Sequence, residues 1–125
     1  MHTLSKAERL NRQKIIKKMF EGGGSSFSVF PLRVVYMTVS DLDAPASVLI
    51  SVSKRRFKRA VRRNRVKRQI REAYRKHKPS LLALLSQKGT QIAVAFIYLA
   101  NELIDSSVIE ARMETALTRI AEKLS

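Results

Sequence analysis

Residues 54–78 constrain this chain more than any other segment: twenty-five positions carry fourteen Lys and Arg side chains and one acid, Glu72. The rest of the chain is almost balanced, with eleven basic and nine acidic residues, so the net charge of +15 belongs largely to this stretch. A basic tail is ordinarily low in complexity and disordered. Here Val66, Ile70, Ala73, Tyr74 and His77 recur three and four apart, which is one face of a helix. Asn64, Arg68, Arg71 and Arg75 fall together on the opposite face, with Arg65 and Lys67 beside them. Val61 lies off the apolar stripe, so the helix is expected to enter its packing from a turn around 57–61. Like charges three and four apart cost a helix a few tenths of a kcal/mol per pair. Accepting that cost repeatedly points to a polyanionic partner.

The flanking sequence reads as a scaffold for this helix. Asn11 is placed to cap a first helix carrying Ile15, Ile16, Met19 and Phe20, which the glycines 22–24 end. Ser5 and Glu8 form a rival capping box, and residues 1–10 could be a mobile arm. Phe27 to Phe30 fits a short edge piece before Pro31, and Leu32 to Val39 a strand. Ser47 to Ser53 alternates as a second strand, expected antiparallel beside the first. The basic helix should run from about Arg59 to Lys78 and stop at Pro79. Ser80 would then cap a short helix over 81–87. Gln91 to Leu99 is apolar on both faces, as a central strand would be. Ser107 to Glu110 reads as a capping box for a last helix, with Ile109, Met113, Ala116, Leu117, Ile120 and Leu124 on its buried face. The sum is one small α+β domain over residues 1–125, a mixed sheet packed by helices.

Catalytic equipment is sparse. There is no Cys, and the two His stand at 2 and 77, far from metal-ligand spacing. Asp41 and Asp43 belong to a surface turn, and the triglycine lacks the Lys-Ser/Thr of a phosphate-binding loop. The cysteine-free composition fits a cytoplasmic protein, and no run is long enough to span a membrane. The expectation is a binder of nucleic acid with no catalytic residue, no metal site of its own and no stable protein partner.

The run Ser51-Val52-Ser53-Lys54, then Ala60-Val61-Arg62-Arg63-Asn64-Arg65-Val66-Lys67-Arg68-Gln69-Ile70-Arg71-Glu72-Ala73-Tyr74-Arg75, resembles the bacterial ribonuclease P protein component. Ile16, Met19, Phe20 and Gly22 resemble its first-helix motif, and Pro31-Leu32-Arg33 with Tyr36 its first long strand. The resemblance implies a left-handed βαβ crossover carrying the Arg-Asn-Arg helix. It implies a protein that assists a catalytic RNA in removing 5′ leaders from precursor tRNA, with Mg²⁺ bound mainly by the RNA. On that basis Arg63, Asn64, Arg65, Lys67, Arg68, Arg71 and Arg75 would contact the catalytic RNA. Ile16, Phe20, Tyr36 and Lys54 would line the cleft for the single-stranded leader. Two departures stand out. Arg56-Phe57-Lys58-Arg59 replaces a shorter Gly-Asn turn found in many relatives, and Ile16 stands where an aromatic is common.

A ribosomal-type structural RNA binder without a processing role would share the charge and the lack of catalytic groups. A helix-turn-helix DNA binder would need a helix just before the basic one, where the sequence reads as strand. A self-sufficient nuclease would need clustered carboxylates or histidines.

Overall fold

The computed structural model describes residues 4–125; within the arm expected at 1–10, the first three positions lie outside the described residues. Among the described residues, one four-stranded sheet contains β1 (Ser25–Val29), β2 (Leu32–Val39), β3 (Ala46–Ser51) and β4 (Gln91–Tyr98), in the order β1-β2-β4-β3. β2 pairs antiparallel with both β1 and β4, and β3 runs parallel to β4. The expected β2–β3 pairing is therefore corrected: β4 stands between them. An apolar strand such as β4, with Ile92 to Phe96 fully buried, needs a neighbour on each edge and a layer on each face. The crossover from β3 allows it to take the central place.

That crossover is α2 (Ala60–Lys88), a continuous helix of 29 residues and thus about 43 Å long. It does not stop at Pro79, and the separate short helix expected after Ser80 is its last part. Tyr74, Leu81 and Leu85 are buried on both sides of the proline, whose own ring is exposed. Burial thus holds the helix across the missing amide, whose local cost is about 3 kcal/mol. Gly89 ends α2 in the left-handed region at φ 63°, and Thr90 N–H returns to the Leu85 carbonyl at 3.0 Å.

α1 (Gln13–Lys18) follows Arg12 rather than Asn11 and winds into a wider turn over Met19–Gly23, which Gly22 closes at φ 99°. α3 (Ser106–Leu124) follows Asp105, with no side-chain cap. The capping box expected from Ser107 is not formed, because Ser107 is already the second residue of the helix; Glu110 lies against α2, 3.2 Å from His77 Nε2 and 3.5 Å from Lys76 Nζ.

The two faces of the sheet have separate cores. Leu32, Val34, Tyr36, Val48, Val94 and Phe96 pack with α2 and α3, including Tyr74, Met113 and Ile120. Val35, Ala93 and Ala95 pack on the other face with Leu10, Met19, Ile15 and Ile16. Residues 4–10, expected as part of a mobile arm, are packed. Leu4 and Leu10 are buried, Leu10 N–H donates to the Val48 carbonyl at 2.9 Å, and Ser47 Oγ donates to the Ala7 carbonyl at 3.0 Å. This segment covers part of the outer edge of β3, which would otherwise be an open pairing edge.

Candidate nucleic-acid interface

The turn before α2 is built around its own aromatic. Phe57 is buried with its ring centroid 6.0 Å from that of Tyr98. Burying this side chain pulls the chain inward and leaves the carbonyls of Phe57 and Lys58 facing the helix start. Arg63 Nη1 donates to both, at 2.8 and 2.9 Å. The entry turn expected around 57–61 lies earlier, over residues 54–59: Ala60 and Val61 already belong to α2, and Val61 is 78% exposed on it.

The seven basic-helix residues expected at the RNA contact divide by what their side chains touch. Asn64, Arg65 and Arg68 point outward and are exposed, and none has a hydrogen-bond or ion-pair partner among the described residues. They are a ready row of donors for phosphate oxygens. Arg63 is committed to the turn carbonyls. Arg75 is committed to Glu72, with Nη2 2.7 Å and Nε 3.1 Å from the carboxylate; those bonds raise the guanidinium pKa. Lys67 and Arg71 are half-buried on the flank of α2 that faces the β3 edge, where Arg9 joins them.

Neighbouring acids are tied down as well. Lys78 Nζ donates to Glu8 Oε2 at 2.6 Å, and Ser5 N–H donates to the same carboxylate at 3.2 Å. Burial alone would raise the Glu8 pKa. The bonds from Lys78 and Ser5, with the lysine charge, outweigh it and hold the carboxyl below its ordinary range. The net result is a helix whose outer face is cationic and whose nearby carboxylates are largely engaged.

The residues expected to line a leader cleft are only partly brought together. Phe20 is 45% exposed, so it is not a core residue, and Ile16 packs one turn before it on the Val35 face of the sheet. Tyr36 lies on the opposite face, 7% exposed, with its ring edge-on to Phe27 at 6.2 Å. Side chains alternate along β2, so the residues facing α1 are Val35, Met37 and Val39. Lys54 is exposed in the turn leaving β3, at the Ile97–Arg33 end of the strands. The groove between α1 and β2 opens at the other end, over Met37 to Ser40. It is about 500 Å³, with Lys14 and Lys18 on its helical wall and Met37 and Val39 on its floor. Sequence reasoning missed Lys14, Lys18 and Met37. The signal was present in the i, i+4 spacing of the lysines and in the strand parity of Met37. Reading it required knowing which sheet face α1 covers.

The comparisons agree with this architecture. A family model described as Ribonuclease P matches residues 4–121. The ribonuclease P protein component of Porphyromonas gingivalis is 46% identical over 119 residues, covering 94% of this chain and 86% of its own length. That of Chlorobium phaeobacteroides is 36% identical over 110 residues, covering 81% and 75%. Among solved structures, the Staphylococcus aureus RNase P protein superposes with a TM-score of 0.69 at 27% identity, covering 92% of this chain and 96% of that one. The Thermotoga maritima RNase P protein shares the fold, with a TM-score of 0.67 at 21% identity and coverage of 90% and 96%.

Proposed function

The chain belongs to the ribonuclease P protein family, and from that premise we propose that α2 docks on the catalytic RNA while the α1–β2 groove takes the 5′ leader of precursor tRNA. As a ribonuclease P protein component, it is a subunit of a ribonucleoprotein endoribonuclease. The observation that carries the proposal is the outward row of Asn64, Arg65 and Arg68, unengaged within the described residues and set beside paired carboxylates. Such a row fits folded RNA, which is recognised chiefly through backbone and shape.

The groove suits a single strand. Lys14 and Lys18 would follow phosphates, and Met37 and Val39 give an apolar floor. Phe20 does not line this groove; exposed in the turn that follows α1, it would offer a separate face for stacking. Tyr36 is left out of this site because it faces the other core. Mg²⁺ is assigned to the RNA, where it would supply the activated water. Among the described residues no three His, Cys, Asp or Glu side chains converge as ligands on the protein. Among those residues no helix is long and apolar enough to cross a membrane.

The test is reconstitution with the ribonuclease P RNA of the same organism and a precursor tRNA at low Mg²⁺. The mixture should yield the mature 5′ end and the protein alone should not. Robust processing by RNA-free protein, or no dependence on the protein, would overturn the reading.

A further inference from the structure

A second concave site lies on the far flank of α2. Where residues 4–10 cross the edge of β3, they leave a notch of about 320 Å³ against α2. Its charged lining is Arg9, Lys67 and Arg71, with no carboxylate, and none of the three has an acidic partner among the described residues. Its floor is apolar, formed by Leu10, Val48 and Ile50. Ile50 lies two residues beyond the point where Leu10 meets the Val48 carbonyl, so strand alternation turns its N–H and C=O to the same edge. The wall is fixed in place by the Lys78–Glu8 pair and by the Ser47 bond to the Ala7 carbonyl.

We propose that this notch holds one unpaired nucleotide of the catalytic RNA, with its phosphate clasped by Arg9, Lys67 and Arg71 and its base on the apolar floor. The inference rests on the functional reading above and adds to it a defined RNA feature and a residue, Arg9, that lies outside the basic helix. Charge complementarity argues for an anion, the apolar floor argues against a bare phosphate, and the volume fits a nucleotide better than a duplex. An open strand edge supplies polar groups for the rim of a base without reading sequence strictly. An acidic peptide would satisfy the cations, but its extended backbone would need a longer groove than this one.

The chain has no cysteine, so Lys6→Cys, exposed three residues from Arg9 and outside the lining of the notch, gives a unique attachment point for a hydroxyl-radical probe. With the probe in place, the assembled particle should be cut at one discrete place in the RNA, at an unpaired nucleotide. Removing the base of that nucleotide should weaken binding of the wild-type protein severalfold and have a smaller effect on Arg9→Ala. Arg9→Ala itself should lower RNA affinity by about tenfold and reduce the salt slope by about one ion. Wild-type affinity for Arg9→Ala, or cutting centred in a base-paired stem, would overturn the notch while leaving the functional reading intact. An acidic peptide that competes with RNA for wild-type protein but not for Arg9→Ala would also overturn it. Failure of the wild-type protein to bind the RNA at all would overturn the functional reading first.

Discussion

Arg63 and Arg65 are two residues apart in the same cationic run, yet Arg63 is bonded to the preceding turn and Arg65 is exposed without a side-chain partner among the described residues. Arg63→Ala removes two bonds from one guanidinium nitrogen, to the Phe57 carbonyl at 2.8 Å and the Lys58 carbonyl at 2.9 Å. A charge-assisted bond is worth about 1.5–3 kcal/mol where water is excluded. The Phe57 bond is partly buried and should approach the lower figure; the Lys58 bond is exposed and adds only tenths. The expected loss is about 2 kcal/mol, which lowers the Tm of a domain this size by roughly 8 °C. Arg65 has no hydrogen-bond or ion-pair partner for its side chain among the described residues, so the stability of Arg65→Ala should stay within about 0.5 kcal/mol of wild type. Its affinity for the catalytic RNA should instead fall by about tenfold, with a shallower salt dependence. Thermal unfolding by circular dichroism and RNA binding across a salt series separate the two. If Arg63→Ala melts with the wild type and loses RNA affinity as Arg65→Ala does, Arg63 serves the RNA and the division of the basic run is refuted.

Four further outcomes are expected. Phe20→Ala should cost well under the 3–5 kcal/mol of a core phenylalanine, because the ring is 45% exposed, and should reduce the preference for precursor over mature tRNA; unchanged discrimination in paired affinity measurements removes it from the leader site. Lys14→Ala with Lys18→Ala should weaken precursor binding most at low salt, while catalytic-RNA affinity measured alone stays near wild type. Pro79→Ala should raise stability by about 1–2 kcal/mol in denaturant titration, since it restores an amide inside a continuous helix; a lower midpoint would show that the proline ends the helix. Glu8 has a folded pKa below its ordinary 4.5, so its contribution is complete above that value and disappears as pH falls through the folded pKa. Glu8→Gln should therefore show a flatter acid limb in a plot of stability against pH.

The parts of the fold that announce themselves in the sequence are those set by local pattern. β2 spans the expected Leu32–Val39 because it is rich in β-branched and aromatic residues, and β4 is central because both of its faces are apolar. Pattern fails where distant residues decide. Pro79 carries a local stop signal, but the burial of Leu81 and Leu85 overrides it. Tyr36 has the right position for the leader groove and the wrong parity, and parity has meaning only once α1 is known to lie on the Val35 face. Periodicity gives the direction in which Arg63 and Arg75 leave the helix. It cannot show that one long side chain will turn back to carbonyls of the preceding turn, or that the other will close on Glu72. Arg9 was unreadable for a related reason, since its importance comes from a strand edge forty residues away.

The central place of β4 has a consequence for how the protein is made. Leu32 must wait for Tyr98 and Ala46 for Ile92, so neither β2 nor β3 has its interior neighbour until the last third of the chain has been synthesised. A growing chain on the ribosome that has not reached Gln91 holds a β1–β2 hairpin, an orphan strand and a fourteen-cation segment with no core to pack against. Closure is then a late, long-range event, slow by the standards of helical domains of this size. In that interval the nascent chain presents its fourteen-cation segment unpacked, beside the RNA of the ribosome that is making it.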